Sequence, residues 1–179
     1  RLAKILRVAC VLWLLCFGID YLVATYIEPG PLSYFAILRA SVCVPFLIGF
    51  ALTSRNRLPN RSVMTAMELV TVMSAVVVMA LMAIRFQGIR SPYGHAVTCI
   101  LIARAIATPD HYRRGIIMIG VPAITYPITL LIASAFSPRI AADFHNPAAV
   151  AFFVQMVSVI FASASLMVIG GHIFRNLRR

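Results

Sequence analysis

The stretch from Trp13 to Pro45, WLLCFGIDYLVATYIEPGPLSYFAILRASVCVP, decides how this chain is read. Two apolar runs flank the turn-like segment Glu28-Pro-Gly-Pro-Leu-Ser33, and each run carries one ionisable residue, Asp20 in the first and Arg39 in the second. In an antiparallel helical hairpin rising ~1.5 Å per residue, both residues lie ~10 Å from the turn and therefore at matching depth. A charge in hydrocarbon is costly, so it faces a bundle interior, a partner or a water-filled pocket. The spacing predicts that Asp20 and Arg39 meet.

Outward from this hairpin the composition stays apolar. The 179 residues are 61% hydrophobic and 12% charged, and mean hydropathy is +0.94, whereas a soluble domain carries about 25% charged residues. The chain reads as an all-α, polytopic membrane protein forming one bundle over 1–179. At roughly 20 apolar residues per span, about six helices fit. They are expected over about 8–27, 34–53, 62–84, 93–108, 115–136 and 148–174. The first run is too long for a signal-peptide core and lacks a small-x-small cleavage site, so it is read as a retained helix.

The net charge of +11 is distributed in a way that argues for topology and against nucleic-acid binding. Arg1, Lys4 and Arg7, then Arg55, Arg57 and Arg61, then Arg113 and Arg114, then Arg175, Arg178 and Arg179 all fall on one side of six spans. By the positive-inside rule that side, with both termini, is cytoplasmic. The fourth span is short, and the fifth is expected to kink because Pro122 and Pro127 each lack an amide donor. In the sixth, Ala151, Gln155, Ser158, Ala162 and Ser165 share one helical face, expected to pack inward because small residues let membrane helices approach closely.

A second opposite-charge pair, Glu68 in the third span and Arg104 in the fourth, is expected near the cytoplasmic side. Such pairs serve either as a polar switch or as register-fixing ion pairs. At the outer side Arg90, Tyr93 and His95, with Arg85, Tyr26, Tyr34 and Tyr126 nearby, form a candidate pocket above Asp20 and Arg39. It suits a small or lipophilic ligand with a polar or acidic head. The competing reading makes the tyrosines interfacial anchors.

Enzyme signatures are missing: there is no P-loop, glycine-rich nucleotide fingerprint, Cys-x-x-Cys pair, His-Glu-x-x-His helix or Gly-x-Ser-x-Gly elbow. No catalytic residue, metal site or cofactor is expected. Cys10, Cys16, Cys43 and Cys99 lie in apolar segments and read as small core residues.

The order of features, Phe17-Gly-Ile-Asp-Tyr21 in the first helix, Leu38-Arg39 to Pro45 in the second and Ser91-Pro-Tyr93 entering the fourth, resembles the six-helix MASE-like sensor modules that precede bacterial signalling enzymes. The resemblance implies an inner-membrane input domain, paired as a homodimer and surrounded by membrane lipids. It also implies a cytoplasmic catalytic domain after Arg179: a diguanylate cyclase, an adenylate or guanylate cyclase, or a histidine or Ser/Thr kinase. His172-Ile-Phe-Arg-Asn-Leu-Arg-Arg179 then looks like the start of the connector, and Asp20, Arg39 and Ser91-Pro-Tyr93 take the family-like positions. Gly94-His95 departs from the pattern, where an aromatic and a small residue are expected. The alternative reading is a small transporter or channel-like protein whose intramembrane charges form a substrate path.

Overall fold

The computed structural model describes residues 10–26, 32–54, 60–108 and 111–177. The turn at 27–31, the basic runs at 1–7 and 55–57, and Arg178 and Arg179 lie outside the described residues. Among the described residues every regular element is helical. Helix α1 covers Cys10–Tyr26, α2 Leu32–Ser54, α3 Arg61–Phe86 and α4 Tyr93–Ala107. Helix α5 covers Tyr112–Phe136, α6 Pro138–Phe144 and α7 Pro147–Leu177. Four stretches, Leu32–Leu52, Ser62–Phe86, Tyr112–Phe136 and Pro147–Leu177, are long and apolar enough to cross a membrane, while α1 and α4 are shorter apolar helices.

The chain divides into two compact units, Arg1–Ser74 and Ala75–Arg179. In the first, α1 packs on α2. The wall between them is built from Trp13, Ala24, Phe35 and Val42, all buried. The Cys43 thiol donates within α2 to the Arg39 carbonyl at 3.7 Å. Helix α1 loosens for one residue at Cys16, yet the amides of Ile19 and Asp20 still donate to the Cys16 carbonyl, at 3.0 and 3.4 Å.

In the second unit α7 is the central element, packed along α4 and also against α5 and α6. Its buried face is Ala149, Phe153, Met156, Ile160, Ala164 and Val168. Ala151, Gln155, Ser158, Ala162 and Ser165 are exposed, which corrects the expectation that this stripe packs inward. The physical reason lies on the neighbouring helices. Gly94 of α4 faces Met156, and Gly115 of α5 faces Val168 at 3.6 Å from an ideal Cβ position. The small residues that permit close approach thus sit opposite α7, which contributes the bulky side chains and their dispersion contacts.

Short devices set the ends of these helices. Gly88, at φ +62°, turns the chain out of α3 in a conformation that disfavours a side chain. Arg139 of α6 donates to the Phe86 carbonyl at 3.2 Å, satisfying one of the acceptors a helix leaves at its C-terminus. Asn146 caps α7, its Oδ1 accepting from the amides of Ala148 and Ala149 at 3.0 and 3.3 Å, with Pro147 at the first helical position. In α5 the segment Ile116–Gly120 is a π turn immediately before the Pro122 region, a local rearrangement associated with altered backbone pairing.

Candidate functional site

Asp20 and Arg39 form a buried, bidentate ion pair. Arg39 Nε is paired with Asp20 Oδ2, and Nη2 donates to Oδ1 at 2.9 Å. The two residues are 0% and 4% exposed. Trp13 completes the arrangement from two turns earlier in α1. Its Nε1 donates to the Arg39 carbonyl at 2.9 Å, its own carbonyl accepts from Arg39 Nη1 at 3.2 Å, and its ring lies 4.9 Å from the guanidinium carbon. Planar guanidinium geometry suits this combination of fork pairing and aromatic stacking.

The consequence is a closed clamp. Both carboxylate oxygens of Asp20 are engaged and all three guanidinium nitrogens of Arg39 have partners. Chemically the site locks α1 to α2 at one depth. Removing any member leaves a polar group without its partner in a low-dielectric surrounding, where such groups are costly.

Of the other candidates from the sequence, Tyr26, Tyr34 and Glu68 lie in the first unit and the rest in the second. Tyr93 is a core residue, 5% exposed, set edge-on against Phe86 with ring centroids 6.0 Å apart. Its amide is held at 3.4 Å by the hydroxyl of buried Ser91, so the Ser-Pro-Tyr segment starts α4 and anchors it. Arg90 and His95 are exposed. Tyr126 is buried in α5, whereas Tyr26 and Tyr34 are exposed in the first unit. Glu68 belongs to the first unit and Arg104 to the second; Arg104 is buried, and each engages a neighbour. Among the described residues no three His, Cys, Asp or Glu side chains converge as a metal site would require.

Two features escaped the sequence reading. Trp13 carried a usable signal, since it stands seven residues before Asp20 and so on the same helical face. The exposed polar seam of α7 was visible as a stripe, but its direction depends on Gly94 and Gly115 in other helices.

Fold and clamp together define an all-α chain with several membrane-like apolar helices and a buried charge clamp in its first unit. Comparison with family models, with curated proteins and with solved structures finds no match to this chain.

Proposed function

We propose that the chain is the membrane-embedded input domain of a bacterial inner-membrane signalling protein, crossing six times with both ends cytoplasmic. A cue borne by the bilayer or the outer face biases the helices, and α7 carries the change to a following cyclase, diguanylate cyclase or kinase. A ligand achieves this only through unequal affinity for two arrangements. The observation that carries the reading is the length of α7. Its 31 residues at ~1.5 Å each span ~46 Å, against a hydrocarbon core of about 30 Å. Standing upright, the helix exceeds the hydrocarbon thickness by roughly three turns, and it ends in a basic turn with Arg175, which suits a connector to a cytoplasmic domain.

The exposed face of α7 supports pairing of two copies. Ala151, Gln155, Ser158, Ala162, Ser165 and Ile169 are exposed and recur at alternating steps of four and three, the 3.5-residue period of a left-handed two-helix seam. Gln155 sits about 12 Å into the helix from Pro147, counted at ~1.5 Å per residue, where an unpaired amide is unfavourable. A second Gln155 across a two-fold axis supplies both the donor and the acceptor it lacks.

Insertions between Phe174 and Arg175 of the full-length protein test this reading. Two added residues turn the downstream domain by roughly 200°, and seven restore the phase, given about 3.6 residues per turn. Enzyme output is expected to change about tenfold with two, an effect of about 1.4 kcal/mol, and to return toward the parental value with seven. Output indifferent to phase in folded protein, or a reading frame that closes directly after Arg179, contradicts the proposal. The π turn in α5 favours a second reading, a solute path lined by backbone carbonyls, which solute flux through proteoliposomes separates from sensing.

A further inference from the structure

Two cysteines of the first unit, Cys10 in α1 and Cys43 in α2, flank the ion-pair clamp without belonging to it. Cys43 lies one turn beyond Arg39, and its thiol donates to the Arg39 carbonyl at 3.7 Å. The Trp13 indole donates to that same oxygen at 2.9 Å. Trp13 and Cys43 therefore converge on one atom from two helices. Cys10 precedes Trp13 by one turn, which places both on one face of α1. In an antiparallel hairpin one turn back along α1 from Trp13 matches one turn forward along α2 from Arg39. That step ends on Cys10 and Cys43, and Cys10 is the neighbour with which the Cys43 thiol interacts.

Both are free thiols and both are half-buried, so each keeps part of its surface open to a reagent. Val11, Leu14, Val44 and Leu47, which stand beside them in the chain, are exposed apolar side chains. A reagent that dissolves in hydrocarbon is the one suited to this surface. Among the described residues no group of three His, Cys, Asp or Glu side chains could hold a metal, and zinc takes at least three protein ligands. Two facing thiols by themselves carry redox chemistry.

We infer that Cys10 and Cys43 form a reversible dithiol–disulfide pair whose oxidant is a lipid-soluble quinone, independently of the sensor reading. Both S–H bonds break and one S–S bond forms between the two Sγ atoms. The two electrons and two protons pass to the quinone, which leaves as the quinol. A dithiol reductant reverses the step by thiol–disulfide exchange. The bond closes only with the two Cα atoms within about 7 Å, so it staples α1 to α2 one turn beyond the clamp. Oxidation also removes the Cys43 donor from the Arg39 carbonyl and leaves the Trp13 indole bonded there. The redox state of the pair thus reaches the Asp20–Arg39 site through a shared atom.

The test counts thiols on the whole chain in nanodiscs, with Cys16→Ser and Cys99→Ser in the background so that Cys10 and Cys43 alone can react. Decylubiquinone is the oxidant, because its fully substituted ring does not add thiols. The protein is then denatured in excess maleimide and its intact mass measured. Two adducts on the reduced protein, none after the quinone and two again after dithiothreitol are expected, with the chain still monomeric on a non-reducing gel. Adding Cys10→Ser or Cys43→Ser should leave one adduct with or without quinone, since the remaining thiol has lost its partner. Two adducts persisting after quinone, in protein whose Trp13 emission matches the untreated sample, overturn the inference. So do a covalent dimer of the two-cysteine protein, label that dithiothreitol does not restore, or a single-cysteine variant that loses its label as readily as the pair.

Discussion

Arg39→Ala is expected to destabilise the first unit by about 3–5 kcal/mol, because it leaves Asp20 ionised and buried without its counter-charge. Asp20 accepts two bonds from the guanidinium and is 0% exposed, so water cannot readily replace the lost partner. Asp20→Ala is expected to cost a similar amount, since Arg39 would keep its contacts to Trp13 but lose its carboxylate. The double replacement Asp20→Leu with Arg39→Met should recover most of the loss, as apolar residues of similar volume often substitute for a buried pair. Unfolding in mild detergent, followed through the single tryptophan, Trp13, measures all of these. Additive losses in the double variant would show that the pair contributes through its separate members alone.

Gly94→Val is expected to destabilise the second unit by as much as the Met156 side chain fails to move aside. An ideal Cβ at Gly94 falls on Met156 Sδ and lies 2.6 Å from Met156 Cγ, and Gly94 is buried at the start of α4. Overpacking of this kind costs about 1–3 kcal/mol for the first added groups, and a β-branched side chain adds more. Met156→Ala alone should also be destabilising, by about 2–5 kcal/mol, through the cavity it leaves. In the double variant the methyls of the introduced valine occupy part of that cavity, so the combined loss is expected to fall below the sum. Thermal unfolding of the four proteins forms the cycle. The same contact gives a physical reason for glycine at position 94: α7 reaches α4 there through Met156.

The helices were legible because their apolar runs are long and their interruptions are chemical. The expected spans 34–53, 62–84 and 148–174 lie inside α2, α3 and α7, and Pro92 marks the start of α4. Short elements were not legible. Helix α6 has only seven residues, too few for a helical period to stand out, and the turn at Gly88 declares itself only through its φ and the side chains over it. Asp20 and Arg39 could be matched because depth along a hairpin follows from residue counting. The direction of the α7 stripe could not be read the same way, since it is fixed by which neighbour supplies the glycine, and neither Gly94 nor Gly115 belongs to α7. Likewise, Arg90, Tyr93 and His95 are close in sequence but differ in exposure, with Tyr93 turned into the core and the other two outward.

The Asp20–Arg39 pair joins α1 to α2, and we propose that it does not pass solute. Ion and small-solute flux through proteoliposomes containing the purified chain, under an imposed membrane potential, tests it most directly. Flux at the level of protein-free liposomes is expected for the parent and for Asp20→Asn alike. Flux well above that background that Asp20→Asn abolishes while the protein stays folded would contradict it.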